Sequence, residues 1–367
     1  MKVAVYTICK NESQFVDRFM ACIKNEADVV VVTDTGSTDD TVEKLRAHGA
    51  TVYETVVNPW RFDVARNISL ANVPEDVDIC VCIDLDEVLT PGWKQAIVEA
   101  FEKDPEAVRL RYPYIWSTLP DGSPGLTYWY EKIHTRHGWK WVCPVHEILK
   151  YEKEDVQTYT DKFKLYHFPD PTKSRSSYLP LLELGCQEDP ENDRNSHYLG
   201  REYMFYKQYD KAIVELKRHL SLKSATWDAE RSASMRYIAR CYMFNEEHDN
   251  AIAWGLRAVA ECSTQREPWV ELGKIYYFKQ DWSGCYFAMK HALAIKEKPM
   301  SYVCEPDSWG VAPHDIISIA AFYLGLKEEA LEQCKKALEF QPKDTRLLNN
   351  LAYYAKVIND TNVKHEV

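Results

Sequence analysis

Residues 79–88 read ICVCIDLDEV, an apolar run from Ile79 to Ile83 that stops at three acids, Asp84, Asp86 and Glu87. An unbroken apolar run of that length marks a strand buried on both faces, the situation of parallel sheets with helices on either side. Upstream, short β-branched runs alternate with helical patterns: KVAVYTI, NESQFVDRFMACIKNEA, DVVVVTD, TDDTVEKLRAHG and ATVYETV. Strand then helix, repeated, predicts a doubly covered parallel sheet. Asn11 is the expected N-cap of the first helix, whose Phe15, Phe19, Cys22 and Ile23 share one side. In such sheets ligands collect beyond the carboxyl ends of the strands, where Thr7, Asp34 and Asp84 fall. The stretch 79–88 is therefore a strand aimed at a ligand crevice.

From about Ala107 to Phe168 the texture becomes aromatic and extended, as in VRLRYPYIW, TYWYEKIHTR and WKWVCPVHEIL. These segments predict antiparallel or mixed strands that wall the pocket, with aromatics able to line a ligand groove or to fill core. Pro169, Pro171 and the patch SRSS then mark a linker. Beyond residue 180 the chain is helical and periodic. Trp269, Leu272, Gly273 and Tyr276 stand at tetratricopeptide offsets, with Ala292 at a later small-residue position. Leu199, Gly200, Tyr203 and Ala212 repeat the register, as do Ile238, Ala239, Tyr242, Ala251 and Ala258, then Ala321, Ala330, Ala337 and Pro342. An insertion, EKPMSYVCEPDSWGVAPHD, precedes the last copy, and RLLNNLAYYAKVI would cap the stack. The expected fold class is α/β plus all-α: an α/β domain over residues 1–180 and a tetratricopeptide-like helical-repeat domain over 181–367.

Composition agrees with a globular protein: 46% of the 367 residues are hydrophobic and 28% charged. A net charge of -11 disfavours a broad nucleic-acid footprint. The eleven cysteines are scattered singly apart from Cys80 and Cys82, which fits reduced thiols better than a disulfide framework. The opening MKVAVYTICKNE has too short an apolar stretch for a signal peptide, and no run approaches the roughly 20 apolar residues of a membrane span. A cytoplasmic location is expected.

Two acids one residue apart at a strand end concentrate negative charge and ordinarily demand a cation. Hard oxygen ligands favour Mg²⁺ or Mn²⁺, ions that bridge protein to substrate phosphates. The alternative is that the acids cap the following helix, TPGWKQAIVEAFEK. A second constellation, TDTGSTDDT at residues 33–41, supplies a turn glycine, hydroxyls at Ser37 and Thr38, and acids at Asp34, Asp39 and Asp40 that could receive a nucleoside. Its alternative is a turn leading into a helix capped by Ser37 or Thr38.

Together with KNE at Lys10 to Glu12, ARN at Ala65 to Asn67 and VHE at Val145 to Glu147, these motifs resemble a family 2 glycosyltransferase of the GT-A fold, a Rossmann-like nucleotide-diphospho-sugar transferase. The resemblance covers about residues 1–170, and the repeats behind it resemble those of a subgroup of that family. It implies a metal-dependent, inverting enzyme that moves a sugar from a nucleotide-sugar, with UDP favoured, to a hydroxyl of a macromolecular or glycan acceptor. Thr7, Glu12, Asp34 and Ser37 then become nucleotide contacts, although Thr35 stands where many members carry a second acid. Arg66 would meet the donor phosphates and Asp84 the nucleotide-sugar. Asp86, with His167, would hold Mn²⁺ or Mg²⁺. Glu147 is the candidate base, because an attacking hydroxyl needs a proton acceptor within hydrogen-bond reach. His146 beside it could orient substrate or ligate metal; for either histidine a structural role weighs equally. The repeats could grip a polypeptide or glycan acceptor, or form a homodimer. Two alternatives stand beside this reading. One is a non-catalytic tetratricopeptide adaptor with a degenerate GT-A domain. The other is transfer to a modified base in phage-type DNA, for which Lys173, Arg175, Arg194 and Arg201 could line a groove.

Overall fold

The computed structural model describes residues 1–119, 122–172 and 176–365, with side chains to residue 360. Lys173 and Arg175 of the expected basic groove, and the first half of the SRSS patch, lie outside the described residues. The chain folds into two compact units, Met1–Gly185 with Met300–Tyr302, and Cys186–Pro299 with Val303–Val367.

The first unit runs β1 (Val3–Cys9), α1 (Ser13–Ile23), β2 (Val29–Asp34), α2 (Thr41–Ala47), β3 (Thr51–Glu54), α3 (Phe62–Ala71), β4 (Ile79–Cys82), β5 (Glu87–Leu89) and α4 (Trp93–Lys103). It continues through β6 (Arg109–Ile115), β7 (Thr127–Thr135), β8 (Trp139–Val142), β9 (Ile148–Tyr151), β10 (Gln157–Tyr159) and β11 (Leu165–His167). The main sheet has the order β3-β2-β1-β4-β7-β6-β11-β5, with β10 beside β6. Its first four strands are parallel, and β7 is antiparallel to both β4 and β6, so the aromatic segments finish the sheet as mixed strands. β8 and β9 form a separate antiparallel pair.

The run ICVCI is buried on both faces because each face has its own core. Ile79, Val81 and Ile83 join Val3 and Val5 against Phe15, Phe19, Trp93 and Ile97 of α1 and α4. Cys80 and Cys82 join Ala4 and Tyr6 against Leu70 of α3 and Trp139 and Trp141 of β8. The period of two along a strand thus sends branched residues to one layer and small thiols to the layer that must admit two indoles.

The expected caps are absent. Glu12, not Asn11, precedes α1, and it makes no side-chain cap. Asn11 adopts φ +55 and its Oδ1 instead accepts from Thr38 N at 2.8 Å, because the side chain is committed to the loop after β2. Asp40 precedes α2, where Asp39 Oδ1 accepts from Thr41 N at 3.1 Å, so neither Ser37 nor Thr38 caps it. Gly92 precedes α4, also without a side-chain cap, which removes helix capping as the reason for the acids at 84–87.

α5 (Tyr178–Glu188) contains both the expected boundary and the observed one. The second unit comprises α6 (Asp193–Phe205), α7 (Tyr209–Ser221), α8 (Asp228–Phe244), α9 (His248–Glu261), α10 (Arg266–Phe278), α11 (Trp282–Ala294), α12 (Val311–Tyr323), α13 (Lys327–Phe340) and α14 (Thr345–His365). They form hairpins α6/α7, α8/α9, α10/α11 and α12/α13, closed by α14, the antiparallel pairing of a tetratricopeptide stack. Each hairpin turns through one left-handed residue, Lys207, Glu246, Gln280 or Gly325. The small residues of the repeat pattern are fully buried: Ala212, Ala239, Ala251, Ala258, Ala292, Ala321, Ala330 and Ala337. Gly200 and Gly273 mark the tightest approaches, since a Cβ would lie 2.6 Å from Leu216 Cγ in one and 2.3 Å from Met289 Cε in the other. The insertion packs back onto the stack. Glu305 accepts from Arg236 and Arg240, each at 2.6 Å, and Glu267 accepts from Trp309 Nε1 at 2.7 Å.

Candidate active site

Just past the end of β4, Asp84 meets Arg66 of α3. Arg66 NH1 lies 2.7 Å from Asp84 Oδ1, NH2 donates to Oδ2 at 3.0 Å, and Nε donates to Glu147 Oε1 at 2.8 Å. Only 4% of the Arg66 side chain is exposed. Local sequence arranges this. Asn67, next to Arg66, donates to Trp141 O at 2.8 Å and accepts from Trp141 N at 2.9 Å, pinning α3 to β8. Phe62 N donates to Pro144 O at 2.9 Å, which fastens the loop carrying Glu147 to the start of the same helix. The motifs ARN and VHE are therefore two sides of one clamp.

Lys132 of β7 completes the cluster, with Nζ 3.8 Å from Asp84 Oδ2 and lodged near the faces of Tyr130 and Trp141. Burial opposes charge on Arg66, but Asp84, Cys82 and Glu147 hold it charged, with its pKa raised well above the ordinary value. Asp84 shows the converse. Burial raises its pKa, and Arg66 and Lys132 override this to leave it far below the usual carboxylate range. For Glu87 the compensation from Lys132 and its hydrogen bonds falls short. Burial, then the neighbouring Asp84 charge, push its carboxyl up to about 7. Its oxygens accept from Tyr114 OH at 2.5 Å and from Asp84 N at 2.8 Å, so Glu87 braces the turn that carries the acids.

Asp86 has a different partner. β11 pairs antiparallel with β5, His167 opposite Glu87, and this register puts His167 Nε2 3.5 Å from Asp86 Oδ2. The His167 ring stacks on Trp116 at 4.3 Å, and its Nδ1 lies 3.2 Å from Trp116 O. A carbonyl only accepts, so Nδ1 carries the proton and Nε2 faces the carboxylate. Burial lowers the proton affinity of His167, but Asp86 raises it further, to a net rise. An imidazole fixed by a backbone carbonyl, with its other nitrogen aimed at a carboxylate, is the donor arrangement that suits a divalent cation. A mixed nitrogen and oxygen set fits Mn²⁺ better than Mg²⁺, which prefers oxygen.

The remaining candidates form a neighbouring network. Asp34, buried at the end of β2, accepts from Gly36 N at 3.0 Å, Ser37 N at 2.8 Å and Ser37 Oγ at 2.5 Å. Ser37 Oγ in turn accepts from Asn11 N at 2.8 Å, and Thr41 Oγ1 accepts from Glu12 N at 2.8 Å. The KNE and DTGST segments thus lock each other. Thr7 lies inside the sheet, its hydroxyl donating to Ile8 O at 3.2 Å and its carbonyl accepting from Ser69 Oγ at 2.8 Å. His146, at φ +51, packs edge-on to Tyr178 with ring centroids 5.7 Å apart. Arg194 and Arg201 are half-buried with their guanidiniums over the Tyr198 ring, at 4.8 and 4.4 Å, rather than on an open basic face. Sequence reasoning missed Lys132 and Trp116. A lone lysine within an aromatic strand was the available signal for the first; nothing local pointed to the second.

Residues 4–170 match the model for glycosyl transferase family 2. Relatives described as uncharacterized glycosyltransferases occur in Rickettsia prowazekii (strain Madrid E), 34% identical over 111 residues, and Rickettsia conorii (strain ATCC VR-613 / Malish 7), 35% identical over 111 residues. Each alignment takes in 30% of this chain and 37% or 38% of the relative, so the chain spans little more than a third of the curated relatives it matches. Among solved structures, that of MamA is 21% identical with a TM-score of 0.38, covering 47% of this chain and 91% of MamA. YrrB, described as a TPR protein with an unusual peptide-binding site, is 18% identical with a TM-score of 0.35, covering 47% of this chain and 81% of that one. At those scores the structural likenesses carry no argument, and the repeat assignment rests on the hairpins themselves. The first unit is different: over residues 4–170 its likeness to glycosyl transferase family 2 rests on the family match itself.

Proposed function

We propose that the chain is a metal-dependent, inverting glycosyltransferase that moves a sugar from a nucleoside diphosphate donor, UDP-linked by preference, to a hydroxyl of a glycan or polypeptide acceptor. The observation that carries this reading is the convergence of a buried cationic pair, Arg66 and Lys132, on Asp84 beside the Asp86–His167 pair at the strand ends. Asp86 and His167 would hold the divalent ion, which when bound supplies positive charge to a departing diphosphate. Arg66 and Lys132 are fixed charges that need no reorganisation as the leaving group gains negative charge. Asp84 keeps both cations in place and offers its exposed edge, about a third of the side chain, to donor hydroxyls. Glu147 engages Arg66 through Oε1; its carboxylate takes the proton of the attacking hydroxyl. The locked KNE and DTGST loops, built around Asp34 and Ser37, form the nucleoside end. The eleven free thiols favour a reducing compartment and hence the cytoplasm. Among the described residues no helix is long and apolar enough to cross a membrane.

The test offers the purified protein a panel of nucleotide-sugars and measures nucleotide release with Mn²⁺, with Mg²⁺ and with chelator. Release from one donor, lost with chelator and with Asp86→Asn, is expected. No donor bound or turned over would favour the adaptor reading, and acceleration by DNA in place of glycan or peptide would move the acceptor to nucleic acid. Glu147→Gln retains the hydrogen bond to Arg66 while removing the base; an unchanged kcat in that variant would reduce Glu147 to a positioning residue.

A further inference from the structure

The helical unit buries a second group of ligating side chains that the transferase reading does not use. His197 of α6, His219 of α7 and Glu230 of α8 each present one ligand atom within 4.8 Å of the others. Both imidazoles are fully buried, and Glu230 is 6% exposed. Ser234, one turn along α8 from Glu230, sits between the rings, its Oγ 2.8 Å from His197 Nδ1 and 2.9 Å from His219 Nδ1. On the far side of the rings, His197 Nε2 and His219 Nε2 are sealed from solvent and make no hydrogen bond. His219 Nε2 lies 3.4 Å from Glu230 Oε1.

A ring nitrogen without a partner is a buried orphan whether or not it carries a proton, and cores avoid such atoms. Here two of them occur side by side, next to a carboxylate. The serine explains what state would satisfy them. Its oxygen has two lone pairs and can accept Nδ1–H from both rings. Both Nε2 lone pairs are then bare and point away from the serine, the tautomer that metal-bound histidines adopt when a neighbouring oxygen holds the other nitrogen.

We infer that His197, His219 and Glu230 form a structural site for a zinc-class divalent cation, which ties the first helical hairpin to the helix that opens the second. Two imidazoles and one carboxylate are a recurrent Zn²⁺ donor set, and Ca²⁺ or Mg²⁺ would want oxygen instead. With bonds of about 2.0–2.2 Å, ligand atoms around a tetrahedral zinc stand roughly 3.4 Å apart. The widest separation in the triad, within 4.8 Å, therefore contracts by up to about 1.4 Å, within reach of side-chain rotations. The bound charge is partly balanced by Glu230; Arg194 and Arg201 act against it. The site is thus expected to be selective for ions that gain most from nitrogen ligands.

The test uses the full chain carrying Asp86→Asn, so that the strand-end pair does not contribute, stripped with chelator and titrated with Zn²⁺ and with Co²⁺ as a spectroscopic probe. One equivalent is expected to bind, with visible Co²⁺ bands of a four- or five-coordinate site and a rise in Tm. His197→Gln or His219→Gln should abolish both, and Ser234→Ala should weaken affinity about 10- to 100-fold. Two-bond ¹H–¹⁵N spectra of the parent's histidine rings, which need no ligand variant to fold, should show Nε2 of two rings shifting on zinc addition. Absence of binding in the parent, stoichiometry unchanged by both histidine replacements, or ring spectra blind to zinc would overturn the inference and leave a hydrogen-bonded core cluster. None of these measurements reads sugar transfer, so failure here and failure of the transferase reading are separable.

Discussion

In the α/β unit Arg66 is enclosed by Asp84 and Glu147, and in the helical unit Arg236 and Arg240 are enclosed by Glu305 and Glu271. Both sets take guanidinium groups out of water, and in both the geometry includes direct N–H···O contacts. They differ in what is left over. Glu305 gives one oxygen to each arginine, and the network does no more than seat the insertion on α8. Around Asp84 two cations, Arg66 and Lys132, likewise share one carboxylate, 32% exposed against 24% for Glu305, but a further acid, Asp86, stands beside it 3.5 Å from His167. An ion network that only joins two elements holds structure; one that stands beside a further acid and imidazole has groups left over for a ligand.

The sharpest way to break this comparison is Asp86→Asn. Turnover should fall about 10²- to 10³-fold, the scale of a lost transition-state charge interaction, with Tm nearly unchanged. Steady-state nucleotide release alongside thermal melting checks it, and a variant that keeps its activity would remove Asp86 from the site.

Arginine replacements come next. Arg66→Met leaves Asp84 and Glu147 short of their cation, and Arg236→Met does the same to Glu305; each should cost about 3–5 kcal/mol, as broken buried pairs do. Urea melts measure the cost. Residual activity, corrected for the folded fraction, should vanish only for Arg66→Met. Loss in both would mean that the helical network also serves the reaction.

Two carboxylates, one in each unit, should also answer to pH with opposite sign. Glu87, raised from 4.5 to about 7 by burial and Asp84, holds a proton that the unfolded chain releases. Stability from this group is present below about pH 4.5 and lost as pH rises to about 7. Glu305, for which burial is outweighed by Arg236 and Arg240, is held at about 2. Its stabilisation is present above about pH 4.5 and lost as pH falls toward 2. Each amounts to at most about 3 kcal/mol. Hydrogen exchange read separately on β4 and α8 peptides should show the two trends, with Glu87→Gln flattening the first and Glu305→Gln the second.

The smallest effect concerns helix contacts. Gly200→Ala puts a methyl into Leu216, an overpacking cost of about 1–3 kcal/mol reduced by about 1 kcal/mol of helix propensity. Gly273→Ala meets only the flexible end of Met289 and should be nearly neutral in Tm.

Particular residues show how far the sequence could be read. The run ICVCI announced a doubly buried strand because burial on both faces suppresses alternation, and the observed β4 lies inside the sheet, parallel to β1 and antiparallel to β7. The glycine and alanine positions of the repeats were legible because close helix approach favours small side chains. Asn11 misled: a cap residue and a loop-bridging residue look alike in sequence, and only the position of Thr38 N decides between them. Asp84 and Asp86 read as one acidic pair, yet they answer to different partners, Arg66 and Lys132 for the first and His167 for the second.

The sequence by itself determined the element types, the strand that ends in acids and the helical period, because these depend on neighbours a few residues away and on the side-chain spacing of strands and helices. Tertiary structure alone decided which charge meets which. Arg66 reaches Glu147 across 81 residues of chain, and His197 reaches Ser234 across 37. A carboxylate's residue type does not say which cation will lie within 3 Å of it; sheet order and helix pairing set that distance, and with it the protonation state and the chemistry.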